Sequence, residues 1–170
     1  MNKIILAGTD NFKKVRDGNS LYVDKSDFIS EFLDTGPSVV AVARPRRFGK
    51  SLNISMLSYF FDMNNKEENR KLFRGLKIEK SHHFAKQGEY PVVSLTFKNF
   101  KAMNFQDCYK KIVKLVISEY DKHQYLKNSS MLTNIEKKNY EKILNEEGDK
   151  AYYESSLGDL SKYLYKHHGK

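Results

Sequence analysis

The chain contains two short apolar runs of the kind that form buried strands. The first covers residues 38–43 and the second residues 91–97. Pro91 has no N–H group, so it fits only at the beginning of the second strand. Residues 4–7 form a weaker third candidate. Because these runs alternate with helical patterns, we expect an α/β fold with a mostly parallel sheet.

Apolar residues at helical spacing predict three helices in the first half of the chain. One starts near Asp24 or Ser26, either of which can cap it, and ends before Pro37. The next covers residues 52–62, directly after a basic turn. A shorter helix covers residues 65–74. These apolar stripes are most simply explained as core contacts.

The second half of the chain is predicted to be helical after the second strand. Asn104 is expected to cap a long helix. Thr133 and Glu136 have the spacing of a capping box, which predicts another helix start. A last helix is expected to open at Ser155 or Ser156.

Eight residues between the first strand and the second helix carry the clearest sign of chemistry. Arg44–Ser51 reads Arg-Pro-Arg-Arg-Phe-Gly-Lys-Ser. A strand, a Gly-Lys-Ser turn and a helix form the context of a phosphate-binding loop. Gly49 lets the backbone turn tightly, Lys50 would reach the β- and γ-phosphates, and the Ser51 hydroxyl would bind the bridging Mg²⁺. Backbone amides of residues 47–51 would cradle the phosphates.

The loop departs from the usual Gly-x4-Gly-Lys-[Ser/Thr] pattern at its first position. Arg44 stands in place of the first glycine, and Pro45 stiffens the turn. Half of the chain's arginines lie in this loop, although the chain otherwise prefers lysine. Arginine binds phosphate through paired hydrogen bonds, whereas a solvated basic turn is the alternative explanation. The loop residues expected to contact nucleotide are Arg44, Arg46, Arg47, Phe48, Gly49, Lys50 and Ser51.

Composition limits the class of protein. The 170 residues are 39% hydrophobic and 30% charged, which fits one globular domain. No apolar run approaches the roughly 20 residues that span a bilayer, and Cys108, the single cysteine, excludes an internal disulfide. We therefore expect a cytoplasmic protein without membrane contact. The formal net charge of +9 is spread along the chain, so nucleic acid is a weakly supported partner.

Two pairs of adjacent histidines are candidate metal ligands. They are His82 with His83 and His167 with His168. Neighbouring residues in a helix do not share a face, and no cysteine or third histidine is spaced nearby. The sequence therefore does not predict a metal site at either pair.

Five stretches of the chain together resemble a known family. They are Gly8–Phe12, Tyr22–Ser26, Arg44–Ser51, Tyr59–Phe61 and Tyr90–Val93. In this combination the chain resembles the AAA-ATPase-like family over essentially its whole length. Bacterial and archaeal members of that family often carry a PD-(D/E)XK-type nuclease-like domain downstream. The arginine in place of the first loop glycine is normal for the family.

The resemblance implies a P-loop NTPase-like three-layer fold and an ATPase that uses ATP and Mg²⁺. Lys50 and Ser51 would have the usual phosphate and Mg²⁺ roles. The resemblance also places Asp24 and Lys25 near the nucleotide. For Asp24, a helix-capping role is an equally good explanation.

A catalytic carboxylate at the end of an apolar strand is missing from the pattern. Such a residue completes Mg²⁺ binding and activates water in ATPases of this kind. No acidic residue after Ser51 follows a strand-like run, so catalytic residues stay unassigned. We therefore expect residues 1–170 to be the N-terminal portion of one AAA-ATPase-like domain, truncated before the Walker B strand.

The function predicted from the sequence is an ATP-binding module that does not hydrolyse ATP alone. A small P-loop phosphotransferase is one alternative, because such kinases can be this short. A non-enzymatic nucleic-acid-binding module is another, based on the net charge of +9.

Overall fold

The computed structural model describes residues 8–18, 20–36, 39–98 and 100–170. The chain divides into two compact units, Met1–Val92 and Val93–Lys170. Each unit has its own cluster of buried apolar side chains. No helix in the described part of the chain combines the length and the apolar character that a membrane crossing requires.

The first unit is built from short helices. Its α-helices are α1 (Phe12–Asp17), α2 (Asp27–Thr35), α3 (Lys50–Phe61) and α4 (Lys66–Lys71), followed by 3-10 helices at Lys77–Lys80 and His82–Lys86. The core is rich in aromatic rings. Phe60 packs edge-on against Phe73, with ring centroids 5.3 Å apart, and Phe12 lies 5.1 Å from the same ring. Burial of these rings holds α1 and α3 together.

The second unit is a group of three longer helices. They are α5 (Phe105–Lys122), α6 (Asn134–Leu144) and α7 (Lys150–His168), with a 3-10 helix at Gln124–Asn128 between the first two. Tyrosines contribute much of the core and bond to backbone carbonyls. Tyr120 donates its hydroxyl to the carbonyl of Ser156 at 2.7 Å, and Tyr140 donates to the carbonyl of Tyr120 at 2.6 Å. These bonds satisfy hydroxyls that burial would otherwise leave without a partner.

The predicted α/β, P-loop NTPase-like three-layer fold with a mostly parallel sheet is wrong for the described residues, which contain no strand and no sheet. Residues 39–43 of the first predicted strand lie outside any strand, and the side chain of Val39 is 85% exposed. Ser38, where that strand was expected to begin, lies outside the described residues. Residues 91–97 likewise lie outside any strand. An isolated parallel bridge joins Asp62 to Tyr90. The weak candidate at residues 4–7 lies outside the described residues.

The physical reason for this error is that a strand depends on its neighbours. Its backbone N–H and C=O groups need partners on adjacent strands. An apolar run indicates only that a segment is suited to burial, and the described residues supply no second strand for either run.

The helix predictions were largely confirmed. Asn104 caps α5 by accepting a hydrogen bond from the N–H of Asp107 at 2.8 Å. Thr133 and Glu136 form the predicted capping box at the start of α6. The start of α7 was predicted too late, because Asp149, six residues before Ser155, caps it.

Candidate phosphate-binding loop

The loop Arg44–Ser51 forms a tight turn that leads directly into α3. Two of its residues, Arg47 and Gly49, have left-handed backbone conformations with φ of 68° and 73°. Glycine adopts this conformation freely, and a Cβ at Gly49 would meet nothing within 4 Å. The requirement for glycine is therefore conformational. At Arg47 the same conformation costs about 1–2 kcal/mol, and strain of this kind clusters at functional sites.

The start of α3 has no side-chain cap. Gly49 is its N-cap residue, and no side chain accepts a hydrogen bond from the first turn. The first helical bond runs from the N–H of Asn53 to the carbonyl of Gly49 at 2.9 Å. The earlier N–H groups and the positive end of the helix dipole are therefore available to an anion.

Lys50 lies at the first position of α3 and folds back over the loop. Its ammonium donates to the carbonyl of Arg44 at 2.5 Å and to that of Pro45 at 2.8 Å. These two bonds fasten the beginning of the loop to its end. They also keep a positive charge beside the turn, where a phosphate would need it.

The remaining loop side chains point outward. Arg44, Arg46, Arg47 and Ser51 are exposed, and Phe48 is 61% exposed. The ring of Phe48 therefore lies beside the three arginines at the surface. The side chains that the sequence assigns to phosphate are thus accessible to a ligand.

Two clefts flank the loop on the first unit, and both are lined by Phe48. One has a volume of about 330 Å³ and the other about 340 Å³. The first is lined by Thr9, Val15, Ser20, Leu21, Tyr22, Val23, Lys25, Arg47, Phe48, Gly49, Leu52 and Asn53. The second is lined by Lys25, Asp27, Phe28, Glu31, Val42, Arg44, Phe48, Lys50 and Asn53. Clefts of this size, next to clustered cations, are the kind of space that small ligands occupy.

Lys25 and Asp24, the other predicted site residues, have different surroundings. Lys25 lines both clefts together with Phe48. Asp24 lines neither cleft. Its carboxylate accepts from the N–H of Ser26 at 2.9 Å and from the N–H of Lys77 at 2.8 Å. The structure therefore gives Asp24 a role in tying the start of α2 to a distant segment.

The same contacts account for the acidity of Asp24. Burial by itself would raise the pKa of this carboxyl, but the hydrogen bonds from the N–H groups of Ser26 and Lys77 outweigh it. The net pKa is lowered, so the carboxylate stays ionised and bonded at neutral pH. Ser26, the other predicted cap, is buried and accepts from the N–H of Ile78 at 3.1 Å instead of capping α2.

Two acidic residues near the loop were missed by the sequence reasoning. Asp27 and Glu31 lie on α2 and line the second cleft together with Lys50. Asp27 also pairs with the ammonium of Lys77 at 2.5 Å. Both acidic residues precede Ser51 in the chain, whereas the expected catalytic carboxylate follows it. Their spacing of four residues is the signal that could have found them, because it puts both on one helix face.

The start of α1 holds α3 in position behind the loop. The N–H of Phe12 donates to the hydroxyl of Ser55 at 3.0 Å, and the amide of Asn11 donates to the hydroxyl of Tyr59 at 3.4 Å. On its buried face, α3 places Met56 in the core. The helix that carries Lys50 is therefore anchored along its length.

Comparison with known proteins gives the family. A family described as predicted AAA-ATPase matches residues 6–170. The chain belongs to the AAA-ATPase-like family. This confirms the resemblance drawn from the five sequence stretches, and AAA-ATPase-like proteins use nucleotide and metal in general.

One curated relative of this AAA-ATPase-like chain is an uncharacterized protein in the vnfD 5' region of Azotobacter chroococcum mcd 1. It is 33% identical over 110 residues, which are 64% of this chain and 20% of the relative. The matched segment thus spans about a fifth of the relative's length. No solved structure matches the chain.

Proposed function

We propose that this chain is an ATP-binding module of an AAA-like ATPase and that the loop Arg44–Ser51 holds the phosphates. The observation that carries the proposal is the start of α3, where a left-handed Gly49 leads into a helix without a side-chain cap. A helix start of this kind offers backbone donors and a partial positive charge to an anion. Family membership supports the use of a nucleotide.

Each loop residue has a role in this proposal. Lys50 leaves the carbonyls of Arg44 and Pro45 to contact the β- and γ-phosphates. The hydroxyl of Ser51 binds the Mg²⁺ that accompanies ATP. The exposed arginines add bidentate phosphate contacts, and Phe48 offers a ring to the base or sugar.

Hydrolysis by these residues alone is expected to be slow. It requires a carboxylate that completes the Mg²⁺ shell and activates water. Among the described residues that line the two clefts, the acidic ones are Asp27 and Glu31. Asp27 is held by Lys77. We therefore expect binding of Mg·ATP with little turnover.

The test is calorimetric titration of the chain with ATP, with and without Mg²⁺. Lys50→Ala should weaken binding by about 100-fold or more, because it removes a charge-assisted contact to phosphate. Lys71→Ala is the matched control, since Lys71 is an exposed helical lysine of the same unit that lines neither cleft. Equal affinity of the wild type and Lys50→Ala would contradict the proposal.

Two further outcomes would favour the alternatives. Transfer of the γ-phosphoryl group to a nucleoside or nucleotide acceptor would indicate a small phosphotransferase. Salt-sensitive binding of DNA or RNA that ignores Lys50→Ala would indicate that the dispersed lysines, and not the loop, form the binding surface. Competition between ATP and nucleic acid, with both lost in Lys50→Ala, would indicate one shared phosphate site.

A further inference from the structure

Three side chains that can ligate a metal lie together in the first unit, outside the loop and its two clefts. Asp34 lies in the last turn of α2, and His82 and His83 open the 3-10 helix His82–Lys86. One ligand atom from each residue lies within 4.8 Å of the other two. Asp34 and His82 are exposed and His83 is half-buried, so an ion can reach all three from solvent.

The two histidines lie on the same side of their short helix, contrary to the sequence expectation. Their ring centroids are 3.9 Å apart, at an angle of 39°. Neighbouring side chains leave the backbone about 100° apart in an α-helix and about 120° apart in a 3-10 helix, so the approach of the rings comes from the side-chain conformations. At the first two positions of a short 3-10 helix, the rings instead turn toward each other.

Asp34 supplies the carboxylate that the sequence could not connect to the pair. Its Oδ1 lies 2.7 Å from Nε2 of His83. The two residues are 49 positions apart in the chain, so no local spacing reveals them. A carboxylate and an imidazole that share a hydrogen bond can also bind a cation between them, because the cation displaces the shared proton.

The two elements that carry these ligands are fastened to each other. Ser30 of α2 donates its hydroxyl to the hydroxyl of Ser81 at 3.2 Å, and the latter accepts from the N–H of His83 at 3.2 Å. The backbone positions of the ligands are therefore fixed before any ion binds. The conformational entropy lost on binding an ion is therefore smaller.

We infer that Asp34, His82 and His83 form a binding site for a divalent transition-metal ion, with Zn²⁺ the best match. Two imidazoles and one carboxylate are a ligand set that Zn²⁺ accepts, with a water in the fourth position. Ligand atoms in a tetrahedral zinc shell lie about 3.3 Å apart. The present spacing, at most 4.8 Å, closes to that value by rotation of the exposed side chains of Asp34 and His82 toward His83.

Binding joins the end of α2 to the 3-10 helix and so stabilises the folded first unit. An ion that binds only the folded state at 100 times its Kd raises Tm by roughly 5–10 °C in a chain of this size. The site lies outside the candidate nucleotide loop, so this effect does not require ATP. Mg²⁺ should not reproduce it, because Mg²⁺ prefers oxygen ligands.

The experiment is a pair of titrations of the tag-free chain. Binding of Zn²⁺ is measured by calorimetry and by its effect on thermal unfolding. Binding of Co²⁺ is measured by the visible absorption bands of the ion. The expected result is saturable binding of one ion with nitrogen-ligated Co²⁺ bands. His82→Gln, His83→Gln and Asp34→Asn should each weaken binding at least tenfold. His82 is exposed, so its variant folds even if another does not.

The chain offers a matched control in its other histidine pair. The double variant His167→Gln with His168→Gln removes two adjacent histidines of the second unit and should leave Zn²⁺ affinity unchanged. Zn²⁺ affinity that survives His82→Gln, or that falls only in the control, would overturn the inference. So would the absence of any Zn²⁺ effect on Tm.

Discussion

The three α-helices of the second unit begin with a side chain bound to their first turn, whereas α3 of the first unit begins without one. Asn104, Thr133 and Asp149 accept from first-turn N–H groups of α5, α6 and α7. Gly49 provides no such group to α3. A capped helix has used its terminal donors within the chain, and an uncapped one keeps them for a ligand.

The second unit and the loop also differ in whether their charged side chains are bonded within the chain. In the second unit the carboxylate of Glu119 is buried and accepts from the N–H of Ser94 at 2.9 Å. In the loop, the side chains of Arg46 and Arg47 are exposed. Glu119 thus has its partners within the second unit, which favours stability, and the loop arginines stay accessible, which favours binding.

The largest effect is expected from Glu119→Gln. Burial would raise the pKa of this carboxyl, but the His123 ring, the ammonium of Lys122 and the N–H of Ser94 lower it below its ordinary value. Loss of the charge removes the ion pair with Lys122 and weakens the hydrogen bond from the N–H of Ser94. It should lower the free energy of unfolding by about 1–3 kcal/mol at pH 7. Denaturant unfolding of both proteins measures this.

The sign of the pH dependence follows from the lowered pKa of Glu119. The unfolded chain binds a proton at this residue before the folded chain does. Its contribution is therefore complete above the ordinary value of 4.5 and is lost as pH falls through the lower folded pKa. The difference between wild type and Glu119→Gln should therefore shrink as pH falls below 4.5. A constant difference from pH 7 to pH 3 would contradict this.

Replacement of Gly49 by alanine should cause the next largest change in stability. The same replacement at Gly158 should change stability in the opposite direction. Gly49 has a φ of 73°, so Gly49→Ala should lower stability by about 1–2 kcal/mol. It should also weaken ATP binding. Gly158 lies inside α7, where a Cβ meets nothing within 4 Å. Gly158→Ala should raise stability by roughly 0.5–1 kcal/mol. Thermal unfolding of both variants should therefore show shifts of opposite sign.

The smallest loss of stability is expected from Thr133→Ala. Thr133 accepts from the N–H of Glu136 at 3.3 Å in the capping box of α6. Its loss should lower the free energy of unfolding by about 1 kcal/mol. ATP affinity should not change, because the residue belongs to the second unit. A joint loss of stability and affinity would undermine the contrast between capped and uncapped helix starts.

The features that sequence predicted correctly depend on residues close together in the chain. Asn104 with Asp107, and Thr133 with Glu136, act across three positions, so their spacing is visible in the sequence. The Gly-Lys-Ser turn before α3 is local in the same way. For these elements the physical cause lies within one turn of helix.

The features that sequence missed depend on distant partners. The predicted strands at 38–43 and 91–97 needed neighbouring strands that no local pattern can supply. Asp24 binds the N–H of Lys77, 53 positions away, and Asp34 binds His83, 49 positions away. In both cases the sequence shows the aspartate itself but does not show which distant residue it contacts.

The contacts of Lys50 have a consequence for kinetics. Its ammonium already has two carbonyl partners within the loop, so an incoming phosphate must exchange for them. Arrival of a nucleotide and release of Lys50 are then two events, and the second can limit the rate. At high ATP concentration the observed association rate should level off at the rate at which Lys50 leaves Arg44 and Pro45.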